Sequence, residues 1–201
     1  MRSLKLLSLC LLIAVLCVSV AASGQDEEEK DEVSPARVHL KRVEPRTMAI
    51  LKHQGPFSDI PQVIANLTSE IDKGDHYVAG PAMVAFFNSP DQVPEDKLIW
   101  QVMIPVVNPG PFRHIETDTP GFSYMNATLV GYTYHIGSYE TVGETYGLLF
   151  EWASRNDYEI AGPPMEIYWS DPQQTPEERL VTELWLPVKE KEAEPKGGVK
   201  D

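Results

Sequence analysis

Hydrophobic and polar residues alternate along several short segments of the chain and follow a helical spacing along two longer ones. Alternation predicts strands, and apolar residues three or four positions apart predict helices. The predicted strands are 48–53, 79–87, 97–106, 129–135, 161–169 and 179–188, and the predicted helices are 59–74 and 140–157. The chain therefore contains the order strand, helix, strand, strand twice.

The two halves are copies of one unit. When the sequence is shifted by 82 positions, His53 falls on His135, and the register holds without a gap until Val106 falls on Val188. Fifteen of these 54 positions are identical, whereas average composition would give about 3. The chain is therefore an internal duplication.

The duplication predicts an α+β fold, in which two pseudo-symmetric β-α-β-β repeats form one antiparallel sheet with both helices on one face and a central ligand cleft. Neither repeat can bury its apolar face alone, so the two should share the sheet. The predicted domain is 37–188; it comprises repeat one (37–107), a linker rich in proline and glycine (108–126) and repeat two (127–188). Residues 37–44 are predicted to extend the first strand, and 189–201 to form a disordered tail.

The N-terminal segment is predicted to be a secretory signal peptide, residues 1–23. Arg2 and Lys5 precede an apolar run, and small residues at 21–23 provide a cleavage site. An uncleaved membrane anchor is the alternative, although the run is short for a span of about 20 residues. We expect a secreted or periplasmic protein that has no contact with the membrane after cleavage. An acidic, disordered spacer is predicted at 24–36.

Composition narrows the function classes. The only two cysteines, Cys10 and Cys17, lie in the predicted signal, which leaves the mature chain without a disulfide or a catalytic thiol. The chain carries a formal net charge of −13, so nucleic acid is an improbable partner. No HExxH, phosphate-loop or nucleophile-elbow motif occurs. We therefore predict neither a metal nor a cofactor.

Alternation in the last strand of each repeat separates two faces. Thr182, Leu184 and Leu186 should lie under the helices, whereas Glu183 and Trp185 should point the other way. The same register in repeat one leaves Gln101 and Met103 on the face opposite the helices. This face is either solvated, in which case a glutamate there has no special meaning, or it forms a partly covered cleft with one carboxylate and apolar walls.

The second repeat resembles the GyrI-like small-molecule-binding family, also called the AraC effector-binding domain. The matching features are His135–Glu140 (H-x-G-x-[YF]-E), a helix with Tyr146 and Trp152, the turn and strand 161–168 (AGPPMEIY), and 182–188 (TELWLPV). The resemblance implies a cleft that binds amphipathic, often cationic or aromatic compounds. It implies Glu183 as the acid of the pocket and Tyr168 as a pocket aromatic. Phe86 is the position equivalent to Tyr168 in repeat one.

Three functions remain open at this point. The first is an exported small-molecule-binding protein with Glu183, Trp185, Tyr168, Gln101, Met103 and Phe86 as ligand-binding residues. The second is a hydrolase of reactive small molecules, with Glu183 as general base and Tyr168 as hydrogen-bond donor, which the resemblance also permits. The third is a haem-binding protein of the SOUL type, for which His53 and His135 would be candidates, although a capping or packing role suits these two histidines better.

Overall fold

The computed structural model describes residues 37–74, 76–111 and 116–191. Over these residues the chain forms ten strands and two α-helices. The strands are β1 (His39–Val43), β2 (Arg46–Gln54), β3 (Tyr77–Val78), β4 (Met83–Phe86), β5 (Ile99–Val107), β6 (Gly121–Met125), β7 (Thr128–Ile136), β8 (Tyr158–Ile160), β9 (Met165–Tyr168) and β10 (Val181–Glu190), and the helices are α1 (Ile60–Lys73) and α2 (Val142–Arg155).

Each helix buries one stripe of its surface, as the sequence spacing predicts. In α1 the buried residues are Val63, Leu67 and Ile71, four positions apart, and in α2 they include Leu149 and Ala153. Both helices contain 14 residues. In the part of the chain that the structure describes, no helix is both long and apolar enough to span a membrane.

The duplication is visible in the coordinates of every element. Adding 82 to the bounds of β1, β2, β4 and α1 gives the bounds of β6, β7, β9 and α2. The main sheet has the order β1-β7-β10-β9-β4-β5-β2-β6, with β3 paired to β5 and β8 paired to β10. The centre of the pseudo-symmetry is the cross-strand pair Val84 and Glu166, because these two residues are themselves 82 positions apart. The predicted α+β fold with two repeats in one sheet is confirmed.

The edge strands are exchanged between the repeats, which the sequence did not predict. Strand β1 belongs to repeat one but pairs with β7 of repeat two, and β6 pairs with β2 of repeat one. Residues 37–44 therefore do not extend the first strand of their own repeat, and the predicted linker 108–126 contains β6. The unit is β-β-α-β-β-β. The tail begins later than predicted, since Lys189 and Glu190 still pair with β8.

The two faces of the sheet bury different sets of side chains. On one face the helices cover two clusters, one around Trp100 under α1 and one around Leu184 under α2. On the other face the sheet encloses a further cluster of apolar side chains, among them Met83, Met103, Met165 and Trp185. We call these the helix face and the concave face.

Candidate ligand sites on the two faces of the sheet

Glu183 lies on the concave face, where alternation had predicted it. Its carboxylate is almost fully buried, because the residue is 1% exposed. The indole N–H of Trp185 donates to Oε1 at 2.7 Å, and the indole N–H of Trp169 donates to Oε2 at 3.0 Å. Both oxygens are therefore held by hydrogen-bond donors of the protein.

A lysine from the exchanged strand neutralises this carboxylate. The Lys41 ammonium on β1 forms an ion pair with Oε1 of Glu183. The same Nζ atom lies 4.2 Å from the ring centre of Tyr132 and 4.6 Å from that of Trp185, within the range of cation–π attraction. The acid predicted to bind a ligand thus already binds a cation of the chain itself.

The expectation of a simply solvated face is wrong. Trp185 and Met103 are buried in the concave cluster, and Glu183 is buried beside them. Gln101 is the half-buried counterpart of Glu183 in repeat one. The position equivalent to Lys41 is Ser123 on β6, so the symmetry-related pair of positions, Gln101 and Ser123, carries no charge. Of the two equivalent positions, 101 and 183, only the one in repeat two is therefore acidic.

Tyr168 and Phe86 lie on the helix face, so the structure separates them from Glu183. Tyr168 is the cross-strand neighbour of Thr182, and Phe86 that of Trp100. Cross-strand neighbours in an antiparallel sheet point to the same side, and both Thr182 and Trp100 face the helices. The expected single cleft with Glu183, Tyr168 and Phe86 together is corrected: the sheet lies between them. The proposed catalytic pair of Glu183 and Tyr168 is not assembled in this structure.

The helix face carries a second buried acid, Glu166, which the sequence analysis did not single out. It is 7% exposed. The Tyr168 hydroxyl donates to its Oε2 at 2.8 Å, and the Tyr146 hydroxyl on α2 donates to its Oε1 at 3.1 Å. No lysine or arginine of the described residues forms an ion pair with it. Glu166 is therefore hydrogen-bonded but has no lysine or arginine counter-ion among the described residues.

The surroundings of Glu166 shift several pKa values upward. Burial raises the pKa of the Glu166 carboxyl, and the hydrogen bonds from Tyr168 and Tyr146 and the charge of His135 oppose that rise. Burial, together with the charge of Glu166, raises the pKa of the Tyr146, Tyr168 and Tyr139 hydroxyls. These phenols therefore stay protonated, and those of Tyr146 and Tyr168 donate to Glu166.

Glu166 lies on the floor of a groove between the helices. The helices pack mainly on the outer strands, α1 on β2 and β5, and α2 on β7 and β10. Strands β4 and β9 lie between. A flat sheet with about 4.8 Å per strand would place the helix axes roughly 19 Å apart, about twice the 8–10 Å of packed helices. We call this feature the interhelical groove; its floor is Val84, Phe86, Glu166 and Tyr168, and its walls are Phe57, Tyr139 and Tyr146.

Aromatic rings line both ends of the interhelical groove in a symmetric way. Phe57 meets Phe86 edge to face with ring centres 5.1 Å apart, and Tyr139 meets Tyr168 edge to face at 5.6 Å. Tyr139 is the equivalent of Phe57 at the offset of 82. Flat apolar faces next to a buried carboxylate suit a flat cation.

The two halves of the helix face differ in polarity. The equivalent pairs, with the repeat-one member first, are Phe57/Tyr139, Val63/Thr145, Ile64/Tyr146, Val84/Glu166, Phe86/Tyr168 and Trp100/Thr182. In every one of these pairs repeat two gains a hydroxyl or a carboxylate. This comparison at fixed offset is the signal in the sequence that identifies Glu166. Lys41 has no such signal, because its position depends on the strand exchange.

The histidines of the two repeats are both hydrogen-bonded at the ends of their strands. In His135, Nδ1 lies 2.9 Å from Oγ1 of Thr145, and Nε2 lies 2.9 Å from the Ser138 carbonyl. The glycine that follows, Gly137, has φ 129°, a conformation that side chains disfavour. In the described residues, no cluster of His, Cys, Asp and Glu able to hold a metal ion occurs. The contacts of His135 fit a capping and packing role.

The fold and the sites define a duplicated α+β domain of the small-molecule-binding class. The model of the GyrI-like small molecule binding domain matches residues 14–107 and 130–189. The chain belongs to this GyrI-like family, as the resemblance in the second repeat had implied.

Solved structures show the same fold at low sequence identity. The EcmrR C-terminal domain is 17% identical with a TM-score of 0.68, over 78% of this chain and 99% of that one. EcmrR in a complex with DNA is 17% identical with a TM-score of 0.66, over 77% of this chain and 58% of that one. A hydrolase from Listeria innocua is 14% identical with a TM-score of 0.57, over 81% of this chain and 97% of that one. A search among curated proteins gave no significant match.

Proposed function

We propose that the protein binds amphipathic aromatic cations in the interhelical groove, with Glu166 as the acid that receives the charge. One observation carries the proposal: Glu166 is a buried carboxylate that no lysine or arginine of the described residues neutralises. A buried charge without a counter-ion is costly, and a cationic ligand removes that cost. Glu183, by contrast, already has Lys41.

Binding requires a movement of the groove walls. The hydroxyls of Tyr146 and Tyr168 cover the carboxylate, so a ligand reaches it when these phenols turn aside. Tyr139 and Phe57 then supply faces for the rings of the ligand. The family model is that of a small-molecule-binding domain, and the aromatic lining with one acid supports the amphipathic cationic class of ligand.

The test compares two ligands with the same ring system and different charge. N-methylacridinium is a permanent cation, and acridine is uncharged at neutral pH. We expect Glu166→Gln to weaken binding of N-methylacridinium about ten- to a hundredfold, the equivalent of a charge-assisted contact, and to leave acridine binding unchanged. Fluorescence titration measures both.

The matched control is Glu183→Gln on the concave face, which we expect to leave both affinities unchanged. If Glu183→Gln weakens cation binding and Glu166→Gln does not, the ligand cleft is the concave face, as the sequence first suggested, and the assignment to the groove is wrong.

We further propose that residues 1–23 direct the chain out of the cytoplasm and are removed. These residues lie outside the described part of the structure; the proposal rests on the charged start, the apolar run and the small residues at 21–23. The mass of the protein recovered from its native cells tests it. An intact N-terminus on protein inside the cell would refute it.

A further inference from the structure

Thr182 on β10 has a buried hydroxyl with no partner. The residue is 0% exposed, and its Oγ1 has no hydrogen-bond partner in the described part of the chain. A buried polar atom without a partner is rare and destabilising. Its cross-strand neighbours are Tyr168 on one side and His135 on the other, which places it on the helix face next to the floor of the interhelical groove.

The polar groups adjacent to the Thr182 hydroxyl already form hydrogen bonds with other partners. The Tyr168 hydroxyl donates to Glu166. Both ring nitrogens of His135 are in contact with oxygens of Thr145 and Ser138. The neighbours therefore leave Thr182 unsatisfied.

Repeat one has a different residue at the position equivalent to Thr182, and the polar atom of that residue has a partner. Trp100 stands there, fully buried, and its indole N–H donates to the Gly55 carbonyl at 2.9 Å. The large ring fills its site and satisfies its single polar atom. Repeat two has instead a small side chain that can both donate and accept. The exchange of tryptophan for threonine leaves an unsatisfied hydroxyl beside Tyr168.

Glu166 also has unused acceptor capacity. A carboxylate accepts about four hydrogen bonds, and two phenols supply two donors to Glu166. Thr182 is a diagonal neighbour of Glu166 across β9 and β10, at a typical distance of roughly 7–8 Å between such positions. The side of the groove in repeat two therefore presents acceptor capacity both at Glu166 and at the Thr182 hydroxyl.

We infer that the ligand is a protonated amine with N–H groups rather than a permanently charged cation without them, and that the Thr182 hydroxyl accepts one N–H while Glu166 binds the charge. This inference rests on the proposed function and names the ligand class for the same groove. Thr182 is thereby the residue that distinguishes the two kinds of cation.

The experiment uses two cations with one ring system. 9-Aminoacridinium carries N–H donors, and N-methylacridinium carries none. We expect the native chain to prefer 9-aminoacridinium. Thr182→Val keeps the shape and removes the hydroxyl, and should weaken 9-aminoacridinium binding about three- to tenfold, as for one hydrogen bond, with less than about a twofold change for N-methylacridinium. Thr182→Ser should retain the preference.

The control variant is Thr133→Val, a buried threonine on the same face of β7 whose cross-strand neighbour is Leu184; we expect it to leave both affinities unchanged. An equal effect of Thr182→Val on both cations, or no effect, overturns the inference and leaves the proposed function intact. Binding of N-methylacridinium that is insensitive to Glu166→Gln overturns the proposed function instead.

Discussion

The ion pair between Lys41 and Glu183 on the concave face should show a large coupling free energy in a double-mutant cycle. Breaking a buried pair typically costs 3–5 kcal/mol, because the remaining charge stays buried. Two features reduce that figure here: the Lys41 side chain is 32% exposed, and two indole N–H groups still hold the carboxylate when the lysine is removed. We therefore expect Lys41→Met to cost about 2 kcal/mol.

Replacing the other member of the ion pair, Glu183, also affects the indole N–H groups that bind its carboxylate. Glu183→Gln leaves one acceptor oxygen for two N–H donors, those of Trp169 and Trp185, so one donor is left beside an amide N–H₂. We expect a cost of about 2–3 kcal/mol, near that of one unsatisfied buried group. In the double variant Lys41→Met, Glu183→Gln, neither charge remains buried without its partner. The total loss of stability should therefore be about 1.5–2 kcal/mol less than the sum of the losses in the two single variants.

Urea denaturation of the four proteins, followed by far-ultraviolet circular dichroism, measures this coupling. The exposed pair of Arg155 and Glu151 on α2 is the control, and its cycle should give about 0.3–0.5 kcal/mol. A coupling between Lys41 and Glu183 no larger than in the control would refute the reasoning, because it would mean that solvent screens the ion pair as it does on the surface.

Two further predictions concern pH and packing. Burial raises the pKa of Glu166 above its ordinary value of 4.5, so its contribution to stability is fully present below the unfolded-state pKa and is lost as pH rises through the folded-state pKa. Denaturation over a pH series should therefore show the free energy of unfolding falling with pH in the native chain, and falling less in Glu166→Gln. The same pH dependence in both proteins would contradict this prediction. Gly131→Ala should destabilise by about 1–3 kcal/mol, as overpacking does, since the new methyl carbon would lie 2.4 Å from the Trp152 ring. Gly147→Ala on α2, with no atom within 4 Å of the new carbon, should instead stabilise by up to about 1 kcal/mol, and thermal melts that show the same sign for both would be inconsistent with this packing.

The elements of this fold are predictable from the sequence because the duplication repeats every signal. The apolar spacing of Val63, Leu67 and Ile71 defines one helix, and the offset of 82 transfers the assignment to the other. Alternation along β10 predicts the face of Glu183 and Trp185 correctly. Local patterns of this kind determine which way a side chain points within one element.

Contacts between distant elements are the part that the sequence does not reveal. The side of the sheet on which Tyr168 lies depends on the pairing register of β9 with β10, and a shift of one residue reverses it. Lys41 reaches Glu183 only because β1 pairs with a strand of the other repeat. The candidate site predicted from the sequence therefore combined residues of both faces.

The exchange of β1 and β6 has a consequence for the ancestry and assembly of the fold. In each repeat the outer edge of the long strand, β2 or β7, is completed by the first strand of the other repeat, so two separate copies could form the same sheet by exchanging these strands. The single chain thus has the architecture of a domain-swapped homodimer that has been fused end to end. In a fused chain the two copies can differ in sequence, and here only repeat two carries the acid and the hydroxyls at these positions of the helix face.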